Sequence, residues 1–156
     1  MTTSYTGSQA LRSQGSSISY GGLIGASASW QAVEEVEDIK RSGQKVSEID
    51  VTNLQSAAKE FVLGLKDEGT IDISANFTAG IVQQLLFARY GDSQAAQYQI
   101  TIGAALTTPV TFTFNAYVTK CAIDDAKVDA KIALSATLRI TGGVTINYGS
   151  LSSQTV

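Results

Sequence analysis

Residues 128–142, VDAKIALSATLRITG, are the stretch that most constrains the fold. Every second residue from Val128 to Ile140 is apolar, and the positions between them carry mainly small or polar side chains. This period of two is typical of a strand with one buried face. At roughly 3.3 Å per residue the stretch would span about 46 Å, whereas typical strands have about 5–6 residues. The main question that the sequence poses is what the polar face of so long a strand lies against.

Three other stretches alternate in the same way and predict further strands. They are TIDISANF at residues 70–77, AQYQITIGAAL at residues 96–106 and VTFTFNAYVTKCAI at residues 110–123. The last predicts an inward face from Val110 to Val118 and an outward face of Thr111, Thr113, Asn115, Tyr117 and Thr119. A short strand, GVTINYG, is predicted to close the domain.

Two stretches before residue 70 are less regular. Residues 30–39 and 46–52 flank the turn-like KRSGQK and predict a hairpin whose first strand carries a bulge. In the second of these strands Ile49 and Val51 share one face, and Glu48 and Asp50 share the other. Residues 53–69 then predict a long connection that can hold a helical turn.

One helix is predicted within AGIVQQLLFARYG, residues 79–91. Thr78 is the expected N-cap and Gly91 the expected end. The expected buried stripe consists of Ile81, Val82, Leu85, Leu86 and Ala88. The order of elements predicts a mainly β fold, an antiparallel β-sandwich or barrel with one packed α-helix. We expect a flexible arm at residues 1–25, this domain at residues 26–148 and an extension at residues 149–156.

Composition excludes several kinds of chemistry. The 156 residues include no histidine and a single cysteine, Cys121, so that histidine catalysis, a structural zinc site and an intrachain disulfide are not expected. The net charge of −3 argues against a nucleic-acid-binding patch. Charged residues make up only 16% of the chain, against roughly 25% in average domains. This low charge fits either a surface covered by other protein or a Ser/Thr-rich β domain.

Two other functions are weaker alternatives. The carboxylates around Glu34 and Glu35 could form an acid pair for glycoside cleavage, but no aromatic cluster lies beside them in the sequence to hold a sugar. A carbohydrate-binding module needs exposed aromatic side chains, and Tyr117 is the one strong candidate on the predicted polar faces.

The sequence also bears on the compartment. The lone cysteine is typical of a protein that folds in a reducing cytoplasm. Because the sequence has no long apolar run, no membrane insertion is expected.

Long strands with unpaired edges favour pairing with another chain. Repeated around an axis, such pairing closes a barrel and removes the edges. The apolar face of residues 128–142 would then cover the core of each subunit, and the polar face would line a channel. The sequence therefore predicts an assembling structural protein rather than an enzyme.

Three stretches carry a resemblance to a known family. They are EIDVTNLQSAAKEFVLGLKDEGTIDISANF at residues 48–77, FTFNAYVTKCAIDDAKVDAKIALSATLRITG at residues 112–142, and the single helix between them. In order and spacing they resemble the major tail tube proteins of long-tailed bacteriophages, especially the non-contractile siphovirus type. The resemblance covers most of residues 30–148.

This resemblance implies a hexameric ring in which long hairpin strands form one inter-subunit β-barrel. Stacked rings would make a conduit for DNA and the tape measure protein, with tail terminator and baseplate or tip proteins at its ends. No cofactor or metal is implied. The expected location is the virion tail, assembled in the host cytoplasm. A tube of a secretion system or of a gene transfer agent is the alternative within the same family.

The resemblance also implies that the arm before Ala26 and the tail after Gly149 contact neighbouring subunits, and it implies roles for particular residues. The expected lumen-lining side chains are Glu35, Glu37, Glu48, Asp50, Thr113, Asn115, Tyr117, Thr119, Asp129, Ser135 and Thr137. Glu34 and Asp38 would replace Glu35 and Glu37 if the first inner strand had a shifted register, and Lys131 and Arg139 share the same face. The expected ring-stacking residues are Phe61, Leu63, Leu65, Lys66 and Asp67, although the three apolar ones could instead cover the domain's own core.

Overall fold

The alternating stretches become the strands of one large sheet. The computed structural model describes residues 15–103, 109–124 and 126–148. Its strands are β1 (Ser17–Leu23), β2 (Gln31–Ala32), β3 (Val36–Ser42), β4 (Lys45–Asp50), β5 (Phe61–Asp67), β6 (Thr70–Asn76), β7 (Ala96–Ile102), β8 (Val110–Ile123) and β9 (Ala133–Asn147), and its helix is α1 (Ile81–Arg89). Within the described residues, no helix is long and apolar enough to cross a membrane.

Seven strands form an antiparallel sheet in the order β2-β1-β7-β8-β9-β6-β3, and β4 and β5 form a separate pair. The sheet curls into a half-barrel that encloses the apolar side chains, with α1 packed against them, which confirms the predicted mainly β fold with one helix. Tyr98 lies at the centre of the core, stacked on Phe114 and edge-on to Tyr20. The predicted inward faces of β6, β7 and β8 are confirmed, because their alternation matches the buried positions.

The longest strand is shifted relative to its prediction. β9 begins at Ala133 rather than at residue 128, and it continues through the short strand that was expected at residues 143–149. Ile123, the last residue of β8, pairs with Leu134, and Asn76, the last residue of β6, pairs with Ala133, so β9 begins where both neighbouring strands end. Val128 is fully exposed in the turn before it. At the other end a bulge between the pairs Thr113–Thr145 and Asn115–Thr141 absorbs the two glycines and lets the strand continue.

The predicted hairpin between residues 30–39 and 46–52 is wrong. β3 pairs with β6 and β4 pairs with β5, and both ladders follow one register, with Ser42 opposite Thr70 and Lys45 opposite Asp67. Residues 36–76 therefore form one long bent hairpin that reverses at residues 51–60. The predicted long connection at 53–69 contains strand β5, and none of its residues is helical. The bulge expected in the first strand is confirmed between Val36 and Asp38.

The domain also begins earlier than expected. β1, which lies inside the arm predicted at residues 1–25, pairs with β7 in the interior of the sheet. Its Ile18 is completely buried. Ser and Gly residues hid this strand, because Ile18 and Tyr20 are its only buried large apolar side chains. Residues 1–14 and the extension at 149–156 lie outside the described residues.

A distant carboxylate, rather than Thr78, caps the helix. The N-cap residue is Gly80, and the Glu34 carboxylate accepts hydrogen bonds from Val82 N (3.2 Å) and Gln83 N (3.3 Å). A Cβ atom on Gly80 would lie 2.4 Å from the Glu34 carboxyl carbon, so glycine allows this close approach. α1 ends at Arg89, before the predicted Gly91. Of the predicted stripe, Val82 and Leu86 are buried, whereas Ile81 and Ala88 are exposed because the buried Gln83 turns inward instead.

We expect Glu34→Ala to destabilise the domain by about 1–2 kcal/mol, because two N–H groups of the first helical turn lose a charged acceptor. Urea unfolding followed by circular dichroism measures this loss. Glu37→Ala is the matched control, because Glu37 forms an exposed ion pair with Lys131. Exposed pairs typically contribute less than about 1 kcal/mol, so this substitution should destabilise the domain less than Glu34→Ala. Equal effects of the two substitutions would contradict the capping role of Glu34.

Candidate assembly surfaces

A continuous polar face covers the outside of the curled sheet. Its side chains form rows across the strands, because paired residues point to the same side. One row runs from Lys40 through Asp72 and Thr137 to Lys120. Within it, the Thr137 hydroxyl donates a hydrogen bond to Asp72 Oδ1 at 2.7 Å. The next row runs through Ser42, Thr70, Arg139 and Tyr117, and a third through Asp38, Ser74, Ser135 and Ala122.

The structure brings together five of the eleven predicted lumen residues on this polar face. They are Thr113, Asn115 and Tyr117 on β8 and Ser135 and Thr137 on β9. The acidic candidates lie elsewhere: Glu35 and Glu37 at the start of β3, Glu48 and Asp50 on β4, and Asp129 in the turn before β9. Of the two residues offered for a shifted register, Asp38 points to the polar face and Glu34 caps the helix.

A bulge in β8 puts Lys120, a residue that sequence reasoning missed, on the polar face. The register shifts between Val118 and Lys120, so Thr119 is the extra residue, and its hydroxyl donates to the Thr137 carbonyl at 3.2 Å. Beyond the bulge the alternation reverses, which puts Lys120 on the polar face and Cys121 on the core side. Burial raises the pKa of the Cys121 thiol to about 11, which keeps it protonated. The adjacent polar residues Thr119 and Lys120, inside an otherwise alternating strand, are the signal that could have revealed the bulge.

Charges on the polar face are nearly balanced. In the three rows the cations are Lys40, Lys120 and Arg139, and the anions are Asp38 and Asp72. Asp67 Oδ2 lies 2.7 Å from the Arg139 guanidinium, which adds a further negative charge at its edge. The face is therefore dominated by hydroxyl and amide groups rather than by carboxylates.

The distal hairpin, residues 45–67 with strands β4 and β5, carries apolar side chains on both faces. Phe61 and Leu63 share a face with Asp50 and Glu48, and Ile49 and Val62 share the opposite one. All four of the apolar side chains are more than half exposed. An isolated two-stranded hairpin is marginally stable in water, and clustered apolar exposure marks interaction sites. The predicted alternative, that Phe61, Leu63 and Leu65 cover the domain's own core, is wrong, because these side chains are 52%, 68% and 88% exposed.

The five predicted stacking residues do not share one face of the distal hairpin. Because Val46 pairs with Lys66 and Glu48 pairs with Leu63, a bulge puts Lys66 rather than Leu65 on the Leu63 face. Asp67 belongs to the base of the hairpin. The sequence pattern missed this division, since a strict period of two groups Leu65 with Leu63.

Hydrogen bonds within the tip loop order the end of the distal hairpin. Val51 N donates to the Glu60 carbonyl at 2.9 Å, and Glu60 N donates to the Thr52 hydroxyl at 2.9 Å. The Thr52 hydroxyl and N–H both lower the pKa of Asp50, which keeps that carboxylate charged. Ser56 Oγ donates to Glu60 Oε2 at 2.9 Å. A preformed tip presents its surface with little loss of conformational freedom on binding.

Ion pairs hold the bend where the distal hairpin meets the sheet. Arg41 pairs with Glu68 on one side, and Arg139 pairs with Asp67 on the other. Gly69 N donates to Asp67 Oδ1 at 3.0 Å. This hydrogen bond, followed by the contact with Arg139, lowers the pKa of Asp67. The bend is thus fixed by side chains from β3, β5 and β9 together.

No protein-family model and no curated protein matches the sequence. Solved structures match its fold at low identity. The anti-feeding prophage cap, described as the AFP tube terminating cap, has a TM-score of 0.69 at 14% identity and covers 94% of this chain and 96% of that one. The tail of the empty GTA particle, with C6 symmetry, has a TM-score of 0.69 at 13% identity over 88% and 99%. The SPP1 tail tube has a TM-score of 0.67 at 12% identity over 93% and 84%.

Proposed function

We propose that this chain is a structural, non-enzymatic subunit of a tail tube of the non-contractile type. In this proposal hexameric rings stack into a hollow conduit through which DNA passes into the host. The fold shared with the SPP1 tail tube and the GTA tail over most of the chain supports the proposal. The C6 symmetry of that GTA tail is the model for the hexameric ring.

The distal hairpin is the observation that carries the proposal. It extends from the curled sheet with Leu63 and Leu65 mostly exposed, and with Ile49 and Val62 exposed on the side opposite Leu63. A monomer gains nothing from such a hairpin, since its apolar surface stays in water. A second copy of the chain in the next ring would cover it. We assign ring stacking to this hairpin, through Phe61, Leu63, Leu65 and Lys66.

The polar face of the sheet is proposed to line the lumen. The sheet ends at β2 and β3, whose outer edges are unpaired within the described chain, and pairing with neighbouring copies would close the ring. Thr113, Asn115, Tyr117, Thr119, Ser135 and Thr137 would then face the channel, and Glu35, Glu37, Glu48, Asp50 and Asp129 would supply acidic groups at its rims. A hydroxyl-rich wall offers cargo few strong contacts, so cargo can slide.

The remaining partners follow from the same proposal. A tape measure protein and, transiently, DNA would occupy the lumen. Tail terminator and baseplate or tip proteins would cap the ends, and residues 149–156 would contact neighbouring subunits. The location would be the tail of a virion assembled in the host cytoplasm.

A tube of a secretion system or of a gene transfer agent is the second candidate. The fold matches the AFP cap as well as it matches the GTA tail. The near balance of charges around Lys40, Lys120 and Arg139 favours no particular sign of cargo. In either kind of tube the subunit would use the same two surfaces: the distal hairpin would stack the rings, and the polar face would line the lumen.

Negative-stain electron microscopy of the purified protein, diluted and concentrated, tests the proposal. We expect rings at low concentration and stacked hollow tubes at high concentration, because burial of the distal hairpin favours association. Sedimentation velocity should show the same concentration dependence. A monodisperse monomer at every concentration would overturn the tube function.

A further inference from the structure

The outward face of α1, a helix that the structure describes in full, carries no charged side chain. Its exposed residues are Ile81, Gln84, Phe87 and Ala88. Ile81 is 70% exposed, and the Phe87 ring is held edge-on against Phe77. Arg89, the one charged residue of the helix, is paired with Asp92. Surface helices normally turn charged residues to water, and a helix that is apolar on both sides is normally buried. This outward face therefore fits a surface that other protein covers.

The outward face of α1 begins at the end of the sheet away from the distal hairpin. β6 starts at Thr70, beside the bend, and ends at Asn76, where the chain leads into α1. The Glu34 carboxylate, which precedes β3, binds the first turn of α1 at this far end. Rings that stack by one repeated contact meet head-to-tail, so each subunit needs a different surface at each end. A distal hairpin therefore meets the far end of a copy in the next ring.

One face of the distal hairpin has the same apolar and uncharged character. Ile49 pairs with Val62 on this face, and both side chains are more than half exposed. Among the strand pairs of β4 and β5, charge on this face is confined to the base, where Lys45 lies opposite Asp67. The opposite face, which contains Leu63, also carries the two carboxylates of β4. The Ile49–Val62 face can therefore be covered without burying a charge.

The other exposed apolar residues of the far end lie among charges. Val128 and Ile132 belong to residues 126–132, which also carry Lys127, Asp129 and Lys131. The start of β3 beside them is acidic. Burial of an unpaired charge against an apolar surface is costly. Among the described residues of the far end, α1 therefore offers the apolar surface that fits an uncharged hairpin face.

We propose that the outward face of α1 binds the Ile49–Val62 face of the distal hairpin from a copy in the adjacent ring. This inference rests on the proposed tube function and names the surface that receives the hairpin. The seven residues of β5 span about 23 Å, and the nine residues of α1 span about 14 Å, so the hairpin is long enough to cover the helix. The Leu63 face of the same hairpin is then free to contact another part of that ring.

Disulfide trapping in assembled tubes tests this contact directly. In a Cys121→Ala background, Ile81→Cys is combined with Val62→Cys or with Ile49→Cys, so that the result does not depend on one geometry. The control combines Ile81→Cys with Leu63→Cys, which lies on the opposite face of the hairpin. Each subunit then shares one cysteine with the ring above and one with the ring below. We expect a ladder of disulfide-linked multimers from at least one of the first two pairs, and monomer from the control.

Negative-stain microscopy of the same samples distinguishes a failure of this contact from a failure of the tube function. Tubes without a ladder, or a ladder of equal strength from the Leu63 control, would overturn the contact with α1 and leave the tube function in place. A ladder that stops at six subunits would assign the contact to neighbours within one ring, which also overturns the inference. A protein that forms neither rings nor tubes in the Cys121→Ala background would overturn both.

A charge exchange tests the same contact without cysteines. Ile81→Glu should raise the concentration needed for stacking by at least ~10-fold, because an unpaired carboxylate would be buried. The helix itself should tolerate this change, since acidic residues are favourable in a first helical turn. Val62→Lys should weaken stacking similarly, and the double variant should recover at least ~10-fold. Val128→Glu, exposed at the same end, is the control and should stack normally. Normal stacking by Ile81→Glu, or no recovery in the double variant, would contradict the contact.

Discussion

Replacing Leu63 by aspartate is expected to abolish tube formation and to leave the subunit folded. Leu63 is 68% exposed on the distal hairpin and makes no contribution to the buried core. Its loss therefore changes the free energy of unfolding by no more than about 0.5 kcal/mol. In a stacked tube the same position would be buried against another subunit, where an unpaired carboxylate costs about 2 kcal/mol or more for each contact. Since each ring repeats the contact, we expect the concentration needed for assembly to rise by at least ~100-fold.

A matched control separates this effect from a general loss of apolar surface. Val128 is fully exposed in the turn before β9, and β9 starts opposite Asn76, at the end of β6 that lies away from the distal hairpin. Val128→Asp introduces the same charge and should assemble normally. Sedimentation velocity and negative-stain microscopy measure assembly, and thermal melting of the diluted protein measures the fold. Assembly by Leu63→Asp at the wild-type concentration would remove the stacking role of the hairpin, while assembly failure in both variants would point to net charge instead.

The sequence pattern predicts which face of each regular strand is buried. Ile71, Ile73 and Ala75 on β6 are buried as expected. Alternate residues of a strand point to opposite faces, and only one face of the sheet contacts the core. The same reasoning fails at bulges. Thr119 adds one residue to β8, and every later side chain changes face, so Lys120 joins the polar surface. One inserted residue thus alters the charge of a whole candidate lumen.

Strand partners and long-range caps are beyond the reach of a local pattern. β3 and β4 follow each other closely, which favours a hairpin on grounds of loop length. Their true partners are β6 and β5, and the reversal lies at the tip loop of residues 51–60. Glu34 likewise caps a helix that begins at Ile81, where the adjacent Thr78 offers a more obvious local candidate. Both outcomes depend on tertiary packing, which the sequence specifies only through the whole fold.

The bend of the long hairpin also depends on tertiary contacts. Gly69 has φ of +82°, and a Cβ atom there would lie 2.0 Å from the carbonyl oxygen of Ser42 on the opposite strand. The obstacle is backbone, which cannot rotate away as a side chain can. Gly69 also receives a hydrogen bond from Ile140 N at 3.1 Å, which ties the bend to β9. The orientation of the distal hairpin is therefore set by a position that tolerates no side chain.

We expect Gly69→Ala to destabilise the subunit by roughly 2–4 kcal/mol, because conformational strain adds to the clash with Ser42. Gly91→Ala is the matched control: Gly91 has φ of +74°, and a Cβ atom there meets nothing within 4 Å. It should cost only the strain, about 1 kcal/mol. Urea unfolding measures the loss of unfolding free energy in each variant. The difference between the two losses is the contribution of the clash with Ser42. Under stabilising conditions the folded Gly69→Ala protein should still fail to form tubes, since a displaced strand redirects the distal hairpin away from the next ring. Normal tubes from this variant would mean that stacking does not depend on the angle of the bend.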